Sequence, residues 1–261
     1  MARLQQANVA GLFYPDDPQK LRQDISHYLA QAQTAKLPAP KALVAPHAGY
    51  VYSGPIAGSA YASLLNHADR YRRVLVLAPS HFVAFRGLAL PDADRFNTPL
   101  GDIAIDTDAA ATLRQLPQVQ VMPEAFAQEH ALEVQLPFLQ QTLKDFTLLP
   151  LVVGDASSAE VAEVIAPFWD DEHTLIVVSS DLSHYQDYAS ACQHDRHTSD
   201  AIEALDENLA YGDACGRNPL RGLLRVARQH GLSVTTVDLR NSGDTAGDRA
   251  RVVGYGAYVF H

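Results

Sequence analysis

Cysteine is scarce: Cys192 and Cys215 are the only two in 261 residues. That argues against a disulfide framework and for a reducing compartment. Basic residues are outnumbered, 20 Lys+Arg against 30 Asp+Glu, which sets the net charge at −10 with histidine neutral. A nucleic-acid binder carries a basic footprint, and this chain has the reverse. The short cluster Arg70-Tyr71-Arg72-Arg73 precedes an apolar strand and reads as its solvated start. No apolar run approaches the ~20 residues that span a bilayer, and the stretch Met1–Gln6 lacks the apolar core of a secretory signal. These absences predict a cytoplasmic protein that binds neither nucleic acid nor membrane.

What is present is ordinary globular material. Hydrophobic residues make up 47% of the chain and charged residues 19%, which excludes disorder and fibrous repeats. A chain this long buries roughly three-quarters of its unfolded surface without staples. Apolar runs bounded by turn residues predict buried strands at Lys41–Ala45, Arg73–Ala78, Phe146–Val153 and Thr174–Ser179. Ser233–Leu239 and Val252–Phe260 return to strand near the end.

Helical spacing predicts Pro18–Gln33, capped by Asp16–Asp17, and Ala131–Leu143, which Pro137 must kink or bound. It also predicts Ser157–Phe168, Ser199–Leu209, and Pro219–His230 ending at Gly231. Thr34–Pro40 is the one linker-like stretch. The alternation predicts a single α/β domain over residues 1–261, with a largely parallel or mixed sheet covered by helices on both faces.

The chemistry concentrates where strands end, as open α/β sheets require. Three apolar strands each deliver a histidine just past the C-terminal end: His47 in Pro46–Tyr50, His81 in Pro79–His81, and His184 in Ser179–Tyr185. One such histidine is ordinarily structural. Three at one sheet edge suggest converging neutral imidazoles and a Zn²⁺ or Fe²⁺ site.

Further groups are more ambiguous. Glu129, His130 and Glu133 stand at a helix start, as caps or as acid–base groups beside a metal; the pattern is not HExxH. The loop Arg240–Asp248 is a turn or the source of a carboxylate. Cys192 lies in a His/Asp-rich helix start. Cys215 precedes a helix whose N-terminus would lower a thiol's pKa, or it is a small residue at a tight turn.

Several segments resemble the Memo family, called AmmeMemoRadiSam system protein B in prokaryotes. They are Gly11–Pro15, Ala45–Tyr50, Pro79–His81, Glu129–Phe138, Ser179–Tyr185 and Cys215–Arg217, in one order along nearly the whole chain. The resemblance implies a fold like the class III extradiol dioxygenases, LigB-type enzymes with non-haem Fe(II). It implies metal ligation by His47 and His81, with Asp181 and His184 nearby. In the animal branch the third metal-site residue is a cysteine, expected in the late loop; Ser242–Asp248 has none. That leaves Asp244 to complete a two-histidine, one-carboxylate site, with Asp248 as its rival.

On this reading Fe(II) is the expected cofactor, with copper or zinc as alternatives, and the reaction opens an aromatic diol with O₂. His184 acts as base, His130 bonds substrate or oxygen, and Tyr50, Tyr185 and Arg217 line the pocket. A second reading is a binding or adaptor protein whose pocket takes a phosphorylated peptide, gripped by Arg86 or Arg217. A third is a zinc hydrolase. The family name also implies functional partners, an AMMECR1-like protein and a radical SAM protein.

Overall fold

The computed structural model describes residues 3–32 and 37–261. Gln33, the expected end of the first helix, and the start of the linker-like stretch at residues 34–36 lie outside the described residues. Along the chain the first elements are β1 (Leu4–Gln5), α1 (Pro18–Gln31), β2 (Ala42–Ala45), α2 (Tyr50–Ala62) and β3 (Arg73–Pro79). Short pieces follow: β4 (Leu88–Leu90), β5 (Arg95–Thr98), β6 (Gly101–Ala104), α3 (Thr107–Leu113) and β7 (Val119–Val121). Then come α4 (Leu136–Thr142), β8 (Thr147–Val153), α5 (Ser158–Ile165), β9 (Thr174–Ser179) and β10 (His184–Gln186). The chain closes with α6 (Tyr188–Glu203), α7 (Arg217–Gln229), β11 (Val234–Asn241) and β12 (Val252–Phe260).

Nine strands form one mixed sheet, ordered β10-β12-β2-β9-β3-β8-β4-β7 with β11 on the outer side of β12. Its centre, β2-β9-β3-β8, is parallel, so these four strands end on one edge. β12 adds to β2 antiparallel. A small separate sheet runs β1-β5-β6.

The side-chain period of two divides the central strands between two cores. Leu43, Ala45, Val74, Val76, Val177 and Val259 pack on one face under α1, α2 and α4. Val44, Leu75, Leu77, Ile176, Val178 and Phe260 pack on the other, under α5 and α7. Both faces are covered, which is why the strand runs are apolar without alternation.

Several local choices explain themselves. Ser157 and Glu160 form a capping box that starts α5. Pro137 sits in the first turn of α4, where its missing N–H costs nothing, so the expected helix from Ala131 begins instead with a 3-10 turn at Glu133–Gln135. Of the helix expected at Ser199–Leu209 only Ser199–Glu203 is helical, as the tail of a longer one, α6, started by Asp187, whose side chain accepts from the N–H groups of Ala189 and Ser190; the chain leaves the helix at Ala204. α2 carries Gly54, Pro55 and Gly58 and no amphipathic stripe, being buried almost all round. A Cβ at Gly54 would stand 2.6 Å from the Tyr28 ring, so the glycine permits the close approach of α1.

Candidate metal centre

The register of the parallel strands places the site. Ala45 of β2 pairs with Ser179 of β9, so His47 and Asp181 both lie two residues beyond that rung. The His47 backbone N–H accordingly donates to Asp181 Oδ1 at 2.7 Å. His81 follows the end of β3. His130 arrives from the loop before α4, far along the chain from either.

The three rings converge: His47 and His81 centroids are 5.2 Å apart, His47 and His130 5.7 Å, and His81 and His130 5.1 Å in a stacked pair. Each offers a ring nitrogen within 4.8 Å of the other two.

Their hydrogen bonds decide which nitrogen is free. Ser179 has one hydroxyl proton and donates it to the carbonyl of Ala131 at 2.6 Å. Its oxygen must therefore accept from His47 Nδ1, 2.8 Å away, while Gln135 Nε2 donates to it as well. His81 Nδ1–H donates to Glu129 Oε1 at 2.9 Å, and His184 Nδ1–H to the carbonyl of Leu182 at 2.8 Å. In their neutral forms His47, His81 and His184 thus carry the proton on Nδ1, with Nε2 as the lone-pair nitrogen. This is how a carboxylate or hydroxyl behind an imidazole prepares it as a metal ligand.

Glu129 is the anchor of the cluster. Its buried carboxylate accepts from the backbone N–H groups of His81, His130 and Ala131 besides the His81 ring. Burial alone would raise its carboxyl; the bonds from His81 and Ala131 prevail and hold it low. Burial likewise works against the charged His81 ring, but Glu129 overcomes it and raises His81. His47 is pushed well below the usual histidine value by burial and by the neighbouring histidines, and His130 is lowered chiefly by burial. Two of the three rings are therefore kept neutral, as ligation demands.

A cavity of about 680 Å³ lies over these rings. Asp181, His184, Tyr52, Tyr185, Asp248 and Arg251 share its walls. Burial raises Asp181 to about 6, against the hydrogen bonds from the backbone of His47 and Ala48. Phe13 packs on His130 with centroids 4.7 Å apart. Tyr185 has a left-handed backbone, φ +61°, and the Arg251 guanidinium lies 4.9 Å from its ring centre. Such backbone strain at a cavity wall is a common mark of function.

Other expected residues stand elsewhere. Asp244 accepts from Tyr188 OH at 2.6 Å and from the Asn241 backbone at 3.0 Å, bordering a different hollow beside Cys192. It is not with the histidines; the late loop turns Asp248 to the cavity instead, and the third group at the cluster is His130. Tyr50 is buried, donating to the Val134 carbonyl at 2.8 Å, and Tyr52, one turn edge away, takes the wall position. Arg217 opens α7 and bonds Asn218, outside the cavity, and Arg86 borders another surface hollow with Glu160. The cavity arginine is Arg251.

Glu133 holds the N-terminal segment, accepting from the Asn8 and Val9 backbone and from Tyr14 OH. Cys215 is the residue least anticipated. Its Sγ lies 3.2 Å from His47 Nε2 and accepts the Asp181 backbone N–H at 3.2 Å. Burial, reinforced by Asp181, pushes the thiol up, opposite to the expectation from its helix N-terminus. The sulfur beside the cluster comes from this turn and not from the late loop.

Comparison with known proteins agrees with the whole-chain pattern. Residues 5–259 match the family model described as Memo-like protein. A MEMO1 family protein of Pyrobaculum arsenaticum is 32% identical, with 99% of each chain covered. One from Archaeoglobus fulgidus is 34% identical over 97% of each, and one from Aquifex aeolicus 33% over 99% of each. Among solved structures, an uncharacterized protein of Escherichia coli K12 superposes with a TM-score of 0.50 over 99% of this chain and 100% of that one. At 13% identity that likeness concerns the fold alone. Matched from end to end by relatives of this kind, the chain belongs to the Memo family.

Proposed function

We propose that this protein is a metal-dependent oxidoreductase whose cofactor, Fe(II), is held by His47, His81 and His130. The observation that carries the reading is the convergence of three imidazoles, two of them with Nδ1 engaged from behind by Ser179 and Glu129. Such a donor set fits a first-row divalent metal. Bound there, the metal would supply a Lewis-acidic, redox-active centre for an aromatic diol and O₂. His184, on the cavity wall with Nε2 free, takes the proton from a substrate hydroxyl. Asp181, whose carboxyl burial raises, accepts the His47 backbone N–H and stands beside the cluster, where it can take up or release a proton. Tyr52, Tyr185 and Phe13 contact the ring of the substrate and exclude water. A cytoplasmic location and functional pairing with AMMECR1-like and radical SAM proteins belong to the same proposal.

Copper is compatible with the same imidazoles. Zinc has a specific observation in its favour: three histidines without a carboxylate are a catalytic zinc set, which would make the protein a hydrolase. A binding role would use Arg251 for the anion of a phosphorylated peptide. The experiment is oxygen uptake by Fe(II)-reconstituted protein against a panel of catechols. Uptake abolished by His47→Ala, lost on oxidation to Fe(III) and regained with ascorbate supports the proposal. Activity indifferent to reductant, or partner binding that survives His47→Ala, contradicts it.

A further inference from the structure

A second hollow, of about 230 Å³, opens at the same carboxyl edge, between the ends of β3 and β8 and the start of α7. Its walls include Ser80, Ala84, Phe85, Asp155, Cys215 and Pro219, none of which lines the histidine cavity. Adjacent residues line the two spaces. Ser80 faces the rear and its neighbour His81 the front. Cys215 faces the rear, and its Sγ is 3.2 Å from His47 Nε2 at the front. Cys215 as a residue is half-buried and lines the rear hollow, not the front cavity.

Size and polarity restrict what the rear hollow admits. Sites for drug-sized ligands run about 300–1,000 Å³. The front cavity, at about 680 Å³, falls inside that range and the rear hollow, at about 230 Å³, below it. The polar side chains of the rear wall are largely satisfied: Ser80 Oγ donates to the Val83 carbonyl at 2.6 Å and Asn218 Nδ2 to the Gly154 carbonyl at 2.8 Å. Asp155 is the one charged side chain among them, which disfavours anions.

We infer that the rear hollow is a second compartment of the site, which brings a small neutral molecule to the Cys215 side of His47 while the front cavity holds the larger ligand. The oxidoreductase reading identifies that molecule as dioxygen, and to that extent the inference rests on it; the compartment itself does not.

The test reads access to the thiol, in the full chain carrying Cys192→Ser so that Cys215 is the only cysteine. Methylthiolation by the small neutral reagent methyl methanethiolsulfonate is followed by intact-mass spectrometry on chelator-treated protein at alkaline pH and over hours, because burial raises the thiol and the thiolate is the nucleophile. A chain that binds no metal therefore leaves this result unaffected. Ala84→Trp narrows the rear opening and Val51→Trp the front one, with folding checked by near-ultraviolet circular dichroism and Val83→Trp as a second rear plug. Because thiol reactivity follows access, the rear plug is expected to slow labelling about tenfold or more and the front one to leave it within about twofold. The anionic sulfonatoethyl analogue is expected to react more slowly than the neutral reagent. Slowing by Val51→Trp without slowing by either rear plug, or a native Cys215 that is not labelled, would overturn the inference.

Discussion

Glu129 accepts the Nδ1–H of His81 at 2.9 Å and the backbone N–H of the same residue at 2.6 Å, so one carboxylate fixes both the ring and the chain that carries it. The other bonds to Glu129 tie the His130 loop to the same point. Glu129→Gln replaces one acceptor oxygen with a donor facing donors. Metal affinity should fall about 10–100-fold, the usual effect of losing a partner behind a ligand. Stability should fall by about 1–3 kcal/mol as buried N–H groups lose their acceptor. Competitive metal titration and chemical denaturation measure the two; unchanged affinity would mean that Glu129 supports the fold alone.

Ser179 performs the corresponding task for His47. Ser179→Ala removes the acceptor for Nδ1–H and frees the ring to change tautomer. Metal affinity should drop about tenfold or more, while His184, bonded to a backbone carbonyl, keeps its orientation. Ring-nitrogen chemical shifts of the labelled protein would report the tautomer directly. A His47 that stays protonated at Nδ1 in the variant would show that the serine is not what sets it.

The two late-loop aspartates separate cleanly. Asp244→Ala should leave metal content unchanged and cost about 1 kcal/mol through the lost cap on Asn241. Asp248→Ala alters a cavity wall and should change ligand affinity without unfolding. Metal lost from Asp244→Ala would return the carboxylate to the site.

Stability should carry the signature of Glu133. Burial raises its carboxyl above the ordinary 4.5, against the bonds from Tyr14, Asn8 and Val9. The folded state then keeps a proton that the unfolded chain has released. Its contribution is complete below about 4.5 and declines as pH rises through the raised value. Glu133→Gln should be less stable at every pH, because it loses acceptors, but its deficit should narrow as pH rises from 4.5. A deficit that widens over that range would contradict the direction of the shift.

How much of this was legible beforehand varies with the physics involved. The strands expected at Thr174–Ser179 and Val252–Phe260 match the observed bounds, because apolar runs bracketed by polar residues leave little choice. The central parallel sheet and its three strand-end histidines followed from the same signal. α2 was invisible, since Gly54, Pro55 and Gly58 argue against a helix until α1 is known to press on it. β4 to β7 are too short to show a period.

In the site, proximity across the chain was the hidden quantity. His130 reaches the cluster on a loop, Cys215 by a turn held to Asp181, and neither contact is encoded in local spacing. Asp244 was favoured over Asp248 by the resemblance, which says nothing of which carboxylate the turn presents.

Metal content tests the account most directly. Protein purified anaerobically without an affinity tag, with the variants His130→Ala and Asp244→Ala, is analysed by inductively coupled plasma mass spectrometry. The account predicts near-stoichiometric iron in the parent chain, loss of it in His130→Ala and retention in Asp244→Ala. A parent chain that is free of metal and fails to take up added Fe(II), or metal kept by His130→Ala and lost by Asp244→Ala, would contradict it.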